Sequence, residues 1–495
     1  MLNYLIFFPL IAAFAVLILN RGGVKIFSVG VSLMILVLNG KIFIDYLDGV
    51  NFDFKLGSKI LNLFNYHIGV DSIALILMLL SSLIIFLSFL FLKIEKRAMV
   101  CAIFFLEFAI MGLFSALNAL LFYVFWEFSL LPLIYIIGVY GKDFRAGIKF
   151  FIYAFAGSIL MLVAMIYLAY LNCTLLNIWT FDLEIWKNNV SAASFKEQLF
   201  LFAAFFVAFA IKSPLFPFHT WAPKVYANAP VLVSVMLVAF KMAPFGFLRF
   251  CLPLFPDASV YFTPLIAALC IVSVIYCALI AFRAKDLREL IAYSSISHIG
   301  IMILGIFSFN DLALSGSVFY MFAHGLVTAA LFLMAQSLYE RYKTTELNFY
   351  HSLASHAPSF AIFFSILVLA SVSLPLTLSF VGEFLILLGV AKLNLLYSFL
   401  AGFVVILGAV YMLNLFRKIF FMQKEGEIAK FNLHLRETLA LIPIVFLIFY
   451  LGIAPKIFLD PLQKDAKILL EIMNLRAVEQ NTLDFLSKIG ESNAK

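Results

Sequence analysis

Residues 120–138 read LLFYVFWEFSLLPLIYIIG, an unbroken apolar run whose one charged residue is Glu127. As a helix rising 1.5 Å per residue, such a run matches the roughly 30 Å hydrocarbon core of a bilayer. Similar runs recur along nearly the whole chain, which is 65% hydrophobic and 12% charged with a mean hydropathy of +1.09. A soluble domain carries about 25% charged residues, so this chain lacks the side chains for a water-facing surface. A membrane β-barrel needs strands of about ten residues with alternating polarity, and the runs here are continuous. The sequence therefore predicts an all-α polytopic membrane protein.

Fourteen spans are expected. The first seven cover about 3–20, 26–46, 69–92, 99–118, 120–140, 147–170 and 198–218. The other seven cover about 228–250, 261–282, 289–309, 314–340, 359–391, 395–420 and 437–459. The stretch Leu5 to Leu19 has no basic leader and reads as a retained helix rather than a signal peptide. Basic residues gather in alternate loops: Arg21 and Lys25, then Lys93, Lys96 and Arg97, then Lys142, Arg145 and Lys149. Lys224, Arg283, Lys285, Arg288, Arg341, Lys343, Arg417, Lys418, Lys424, Lys430 and Arg436 fall on the same side. The opposite loops, up to the last span, hold seven: Lys41, Lys55, Lys59, Lys187, Lys196, Arg249 and Lys392. Because basic loops stay cytoplasmic, both termini are expected on the outer, periplasmic side of a cell inner membrane. A weakly amphipathic stretch over about 461–490 is expected at the surface.

Six ionisable side chains fall inside apolar runs. Glu127 and Lys212 (FFVAFAIKSPLFPFHTW, 205–221) come first, followed by Lys241 (VLVSVMLVAFKMAPFGFLRF, 231–250). His298 (290–307), His324 (318–334) and Glu383 (369–389) follow. Each charge near the bilayer centre costs about 3 kcal/mol on insertion scales, and such residues mark transport pathways. A satisfied structural pair explains any one of them; six in one chain point to a proton path. Glu127 and Lys212, of opposite charge and matching depth, are expected to pair. Imidazole titrates nearest physiological pH, which suits His298 and His324 to relay. His219, Tyr293, Ser294 and Ser297 are secondary polar candidates, and Asp71 reads as a helix-start group. His67, His351, His356 and His434 read as ordinary loop or interface residues.

Pro214 and Pro217 follow Lys212, and Pro375 precedes Glu383 by about two turns. Proline removes a helical hydrogen bond and clashes with the preceding turn, so both helices should break near mid-membrane. Two breaks, each beside an embedded charge and five spans apart, suggest two inverted five-helix repeats. The expected organisation is three helices over 1–98, a first unit over 99–250, a second over 261–420, and a last helix with a surface tail over 437–495. Cys101, Cys173, Cys251, Cys270 and Cys277 form no CxxC pair, and no Gly-rich phosphate loop is present. Iron–sulfur, structural zinc and nucleotide sites are therefore not expected, and the formal charge of +7 is a loop property that does not point to nucleic acid.

LLFYVFWEFSLLPLIYIIGVYG (120–141), AFAIKSPLFPFHTWAP (208–223) and IAYSSISHIGIMILGIF (291–307) resemble the antiporter-like subunits of proton-pumping NADH–quinone oxidoreductase, respiratory complex I. AHGLVTAALFLMAQSLYER (323–341) and SLPLTLSFVGEFLILLG (373–389) add to the likeness, which spans roughly residues 66 to 420 and is strongest to the subunit M, or ND4, type. The resemblance implies that Glu127 is the family's fifth-helix glutamate and Lys212 its ion-pair partner on the first broken helix. It likewise implies that Lys241 is the central lysine, that His298 and His324 belong to the hydrophilic axis, and that Glu383 is the acid of the second broken helix. It implies no redox cofactor in this chain, a role as one subunit of an enzyme, and neighbouring antiporter-like membrane-arm subunits as partners. One departure stands out: where the family commonly has HTWLPDAHxEAP, residues 219–230 read HTWAPKVYANAP, placing Lys224, Tyr226 and Asn228 at an acid, a histidine and a glutamate. Pro244 is also unusual and should bend the helix at Lys241.

The expected route runs from Lys212 through Lys241, then His298 and His324, to Glu383. Alternatives are a subunit of a multisubunit Na+(K+)/H+ antiporter, a membrane subunit of an energy-converting hydrogenase, or a non-conducting scaffold subunit.

Overall fold

The computed structural model describes residues 1–56, 65–93, 96–189, 193–422 and 429–473. Lys59, Lys424 and the part of the amphipathic tail beyond residue 473 lie outside the described residues. Within them, eleven helices are long and apolar enough to cross a membrane, from Gly22–Leu47 to Leu435–Ile453. Leu2–Ile18 and Pro358–Ser371 are shorter apolar helices. Side chains such as Ile11, Ile18, Val163, Leu265, Ile406 and Phe446 are exposed on the bundle's flanks. Lipid is the solvent in which such a surface is stable.

The helix Asp311–Tyr342 is the axis of the bundle. Its central stretch is wholly buried, and it packs against Val231–Ala239, Leu287–Ile306, Leu378–Leu393, Pro358–Ser371 and Ser72–Phe91. In a bilayer, helices associate by close packing of small residues rather than by the hydrophobic effect. Two glycines make the approaches that matter here. A Cβ on Gly325 would stand 2.7 Å from Leu80 Cδ2 and 3.3 Å from the Ala239 carbonyl. A Cβ on Gly382 would stand 2.7 Å from Tyr320 Cβ and 2.9 Å from its Cα. Gly325 thus lets His324 draw level with Lys241, and Gly382 seats Glu383 beside Tyr320.

The sequence-expected interruptions occur at their prolines. Phe195–Lys212 ends at the lysine, and the chain resumes as the 3₁₀ turn Phe218–Trp221 and helix Ala222–Asn228. Trp221 Nε1 donates to the Ile211 carbonyl at 2.9 Å, satisfying an acceptor the break releases. Pro358–Ser371 and Leu378–Leu393 flank Pro375. A third interruption falls at Lys241, whose φ of 40° puts it in the left-handed region between Val231–Ala239 and Met242–Gly246. Pro244 has no N–H for the Phe240 carbonyl, and a π-helical turn, Phe247–Cys251, follows.

Among the described residues, one short two-stranded sheet accompanies the helices of this all-α membrane fold. Asp53–Leu56 and Tyr66–Gly69 form an antiparallel hairpin, with Asp53 opposite Gly69 and Leu56 opposite Tyr66. His67, read from sequence as an ordinary loop residue, is buried there. Its Nε2 lies 2.9 Å from Asp53 Oδ1 and its Nδ1 3.0 Å from Asp182 Oδ2. Lys55 Nζ reaches the same Asp182 oxygen at 2.6 Å. Asp71 is the helix-start group expected: its carboxylate accepts from Ala74 N at 2.8 Å and pairs with Arg249 Nη1 at 2.8 Å.

Candidate functional site

Lys241 Nζ lies 3.0 Å from His324 Nδ1, both side chains being buried. The other ring nitrogen, Nε2, is 3.3 Å from Thr328 Oγ1, one turn along the same helix. The imidazoles of His324 and His298 stand 5.6 Å apart, centroid to centroid. His298 Nδ1 meets Tyr320 Oη at 2.7 Å and Glu383 Oε1 at 3.9 Å. Four of the six embedded ionisable groups therefore follow one another as Lys241, His324, His298 and Glu383. The histidines stand in the opposite order to the expected route. The cause is Gly325: it brings the neighbouring residue of Asp311–Tyr342, His324, against the Lys241 break, while His298 on Leu287–Ile306 faces the Glu383 helix.

Lys212 and Glu127 form a looser arrangement. Lys212 Nζ is 3.5 Å from Ser129 Oγ and lies over the rings of Trp126 at 5.3 Å and Phe150 at 5.5 Å. Glu127 is within electrostatic reach of Lys212. No direct ion pair joins them among the described residues, and Glu127 Oε1 is buried without a partner. A small cavity, about 20 Å³, is lined by Lys212, Tyr226 and Lys241 together with Pro214 and Pro244. One water needs roughly 10–15 Å³ of such space. Tyr226, which shares this cavity with the two lysines, is buried and packs its ring on Trp221 and Phe332.

Of the secondary candidates, Ser294 Oγ is 2.7 Å from Tyr411 Oη and lines a second small cavity with His298, Tyr320 and His324. Ser297 donates to the Val274 carbonyl at 2.8 Å, a helix-packing bond. His219 is buried at the first break, stacked on Phe216, with Nδ1 unpartnered. Tyr293 is half-buried. Sequence reading passed over Tyr320, Thr328 and Tyr411, whose hydroxyls carry no charge signal in an apolar run. It also passed over Glu107, fully buried in Arg97–Ser115 with both carboxylate oxygens unpartnered. Glu107 gives the same signal as Glu127, a lone acid in an apolar run.

Among the described residues, His67, Asp182 and Glu184 bring metal-ligand atoms within 4.8 Å of one another. The Lys55 ammonium already supplies a cation to Asp182, so this cluster serves as an ion-pair network holding the hairpin.

A polytopic helical bundle with interrupted helices and a line of acids, lysines and imidazoles through its core defines a membrane ion-translocating subunit. Residues 116–410 match the NADH:quinone oxidoreductase/Mrp antiporter transmembrane family. NADH-ubiquinone oxidoreductase chain 4 of Chondrus crispus is 37% identical over 94% of this chain and 96% of its own length. NADH-quinone oxidoreductase subunit M of Rickettsia prowazekii is 39% identical over 80% of this chain and 81% of its own. A chain of respiratory complex I from Thermus thermophilus superposes with a TM-score of 0.88 at 30% identity, covering 96% of this chain and all of that one. The chain belongs to this family, as an antiporter-like member of the subunit M, or ND4, type.

Proposed function

We propose that the chain works as a membrane-arm subunit of an NADH:quinone oxidoreductase and moves protons along the line of embedded groups. The observation that carries the route is the contact sequence Lys241, His324, His298, Glu383 through an otherwise apolar core. A proton enters from the cytoplasmic side and loads Lys212 when the influence of Glu127 permits, since a nearby carboxylate favours the charged amine and burial disfavours it. It crosses the Tyr226 cavity to Lys241, passes to His324 and His298, and reaches Glu383, from which it leaves on the opposite side. No redox step falls to this chain; quinone chemistry in partner subunits drives the cycle.

The finer architecture belongs to this reading. Fourteen spans are the reading that the eleven long helices support when Leu2–Ile18, Phe195–Lys212 and the interrupted pair around Pro375 are each taken as a crossing. They divide into three helices (1–98), inverted five-helix units (99–250 and 261–420) and a last helix with its tail (437–495). Matching breaks beside Lys212 and Glu383 support the division. The basic loops support a reading with both termini outside a cell inner membrane, and with neighbouring antiporter-like subunits, lipid, protons and ordered water as partners.

The test is the proton-to-electron ratio of the reconstituted complex carrying Lys241→Ala. A lowered ratio in a fully assembled enzyme is expected. An unchanged ratio would rule the route out, and sodium-dependent transport by the same preparation would favour the antiporter reading.

A further inference from the structure

The end of the bundle that collects the basic loops contains a cavity of about 350 Å³ outside the proton route. Lys93, Lys142 and Arg288 line it, with Tyr339, Gln336 and Glu340. Lys142 Nζ and Arg288 Cζ stand over the same Tyr339 ring, at 4.5 Å and 5.2 Å from its centroid. On the rim, Lys96 Nζ lies 4.5 Å from the Tyr140 ring centroid.

These charges lack direct ion pairs. Among the described residues, none of Lys93, Lys142 and Arg288 is in ion-pair contact with an acid. Glu340, the acid in the lining, already accepts from Arg436 Nη2 at 3.4 Å and Gln336 Nε2 at 3.3 Å. Asp286 accepts from the first amides of its own helix and from Thr345. Arg288 is only 3% exposed. Its Nη2 donates to Gln336 Oε1 at 2.6 Å, and its Nε has no partner. Asp286 acts on Arg288 only through space; a buried guanidinium without a directly paired carboxylate is costly, and gathering two cations on one ring adds repulsion. An anion in the cavity relieves both, and a guanidinium edge beside an ammonium matches phosphate oxygens.

We propose that this cavity binds the phosphate of an anionic phospholipid headgroup. The remaining wall favours a lipid over free phosphate: Leu92, Met99, Pro230, Val231 and Leu232 offer apolar surface where acyl chains would begin. Basic pockets between transmembrane helices are the type of site that recognises such headgroups.

The test uses the purified, assembled complex, delipidated in detergent and offered phosphatidylglycerol or phosphatidylcholine. Lys93→Gln/Lys142→Gln is compared with wild type by native mass spectrometry, and Lys142→Gln alone serves if the double variant assembles poorly. We expect one phosphatidylglycerol preferentially retained by the wild type and bound on the order of tenfold more weakly by the double variant, with electron transfer unchanged. Equal retention by wild type and both variants would overturn the site. Displacement of the lipid by an equal concentration of inorganic phosphate would keep the anion chemistry and overturn the lipid assignment.

Discussion

The Lys241 ammonium donates to Nδ1 of His324 across 3.0 Å, while His324 Nε2 faces the Thr328 hydroxyl at 3.3 Å. This pair joins the break after Val231–Ala239 to the axis helix Asp311–Tyr342. Both geometries are satisfied together when Nδ1 holds the lone pair and Nε2 the hydrogen, the tautomer that the proposed transfer from amine to ring requires. Lys241 makes this contact from a left-handed backbone.

That backbone separates structure from function at one residue. An L side chain in the left-handed region costs roughly 1–2 kcal/mol, which glycine avoids. Lys241→Gly should therefore fold and assemble at least as well as Lys241→Ala, yet both should lose proton transfer between the halves. The check is thermal stability of the complex alongside its proton-to-electron ratio. Recovery of pumping in the glycine variant would mean that the backbone bend, not the amine, is what matters.

Tyr226 offers a second separation. Its ring packs on Trp221 and Phe332, at centroid distances of 6.5 Å and 5.8 Å, while its side chain also lines the cavity shared by Lys212 and Lys241. Tyr226→Phe keeps the ring and removes the hydroxyl, so stability should change by less than about 1 kcal/mol. Pumping should fall, because the wall of the cavity loses a hydroxyl able to hydrogen-bond. Tyr226→His restores a titratable group and should restore transfer. A fully active phenylalanine variant would show that the lysines communicate by another path.

Gly382→Ala tests the seam between the axis helix and the Glu383 helix. The added methyl would lie 2.7–3.0 Å from Cβ, Cα and N of Tyr320, so backbone must move. Overpacking of this kind costs about 1–3 kcal/mol, and the displacement should also lengthen the 3.9 Å approach of His298 to Glu383. Lower thermal stability together with lower pumping is expected. A variant stable as wild type but deficient in pumping would contradict the packing argument.

The breaks at Lys212 and before Glu383 were legible because proline has one physical effect wherever it stands, and the embedded charges because lipid makes each conspicuous. The order of the histidines was not legible. It depends on Gly325, whose closeness to Ala239 is a tertiary fact with no local signature. The ion pair expected between Glu127 and Lys212 is looser than depth-matching suggested, since Lys212 turns to Ser129 and two aromatic faces. Tyr320 and Thr328 were hidden as uncharged hydroxyls on a helix buried on every side, where periodicity gives no facing direction. His67 looked ordinary because its partners, Asp53 and Asp182, lie on segments that only the hairpin brings together.

The hairpin's own anchor carries a pH dependence of definite sign. Burial raises the Asp182 carboxyl, but the Lys55 hydrogen bond, the charges of His67 and Lys55, and the Glu184 amide outweigh it and hold the group below the usual carboxylate range. A depressed folded-state value means that the ionised form stabilises the fold. The contribution is fully present above the unfolded value of about 3.9 and disappears as pH falls through the lower folded one. Amide exchange at Tyr66–Gly69 should therefore be independent of Asp182 titration near neutrality and accelerate only in strong acid. Asp182→Asn should accelerate it at neutral pH, since the amide keeps the shape but not the charge facing Lys55 and His67. If exchange in the asparagine variant matched wild type at neutral pH, the backbone ladder alone would be holding the hairpin, and the ion network would be incidental to it.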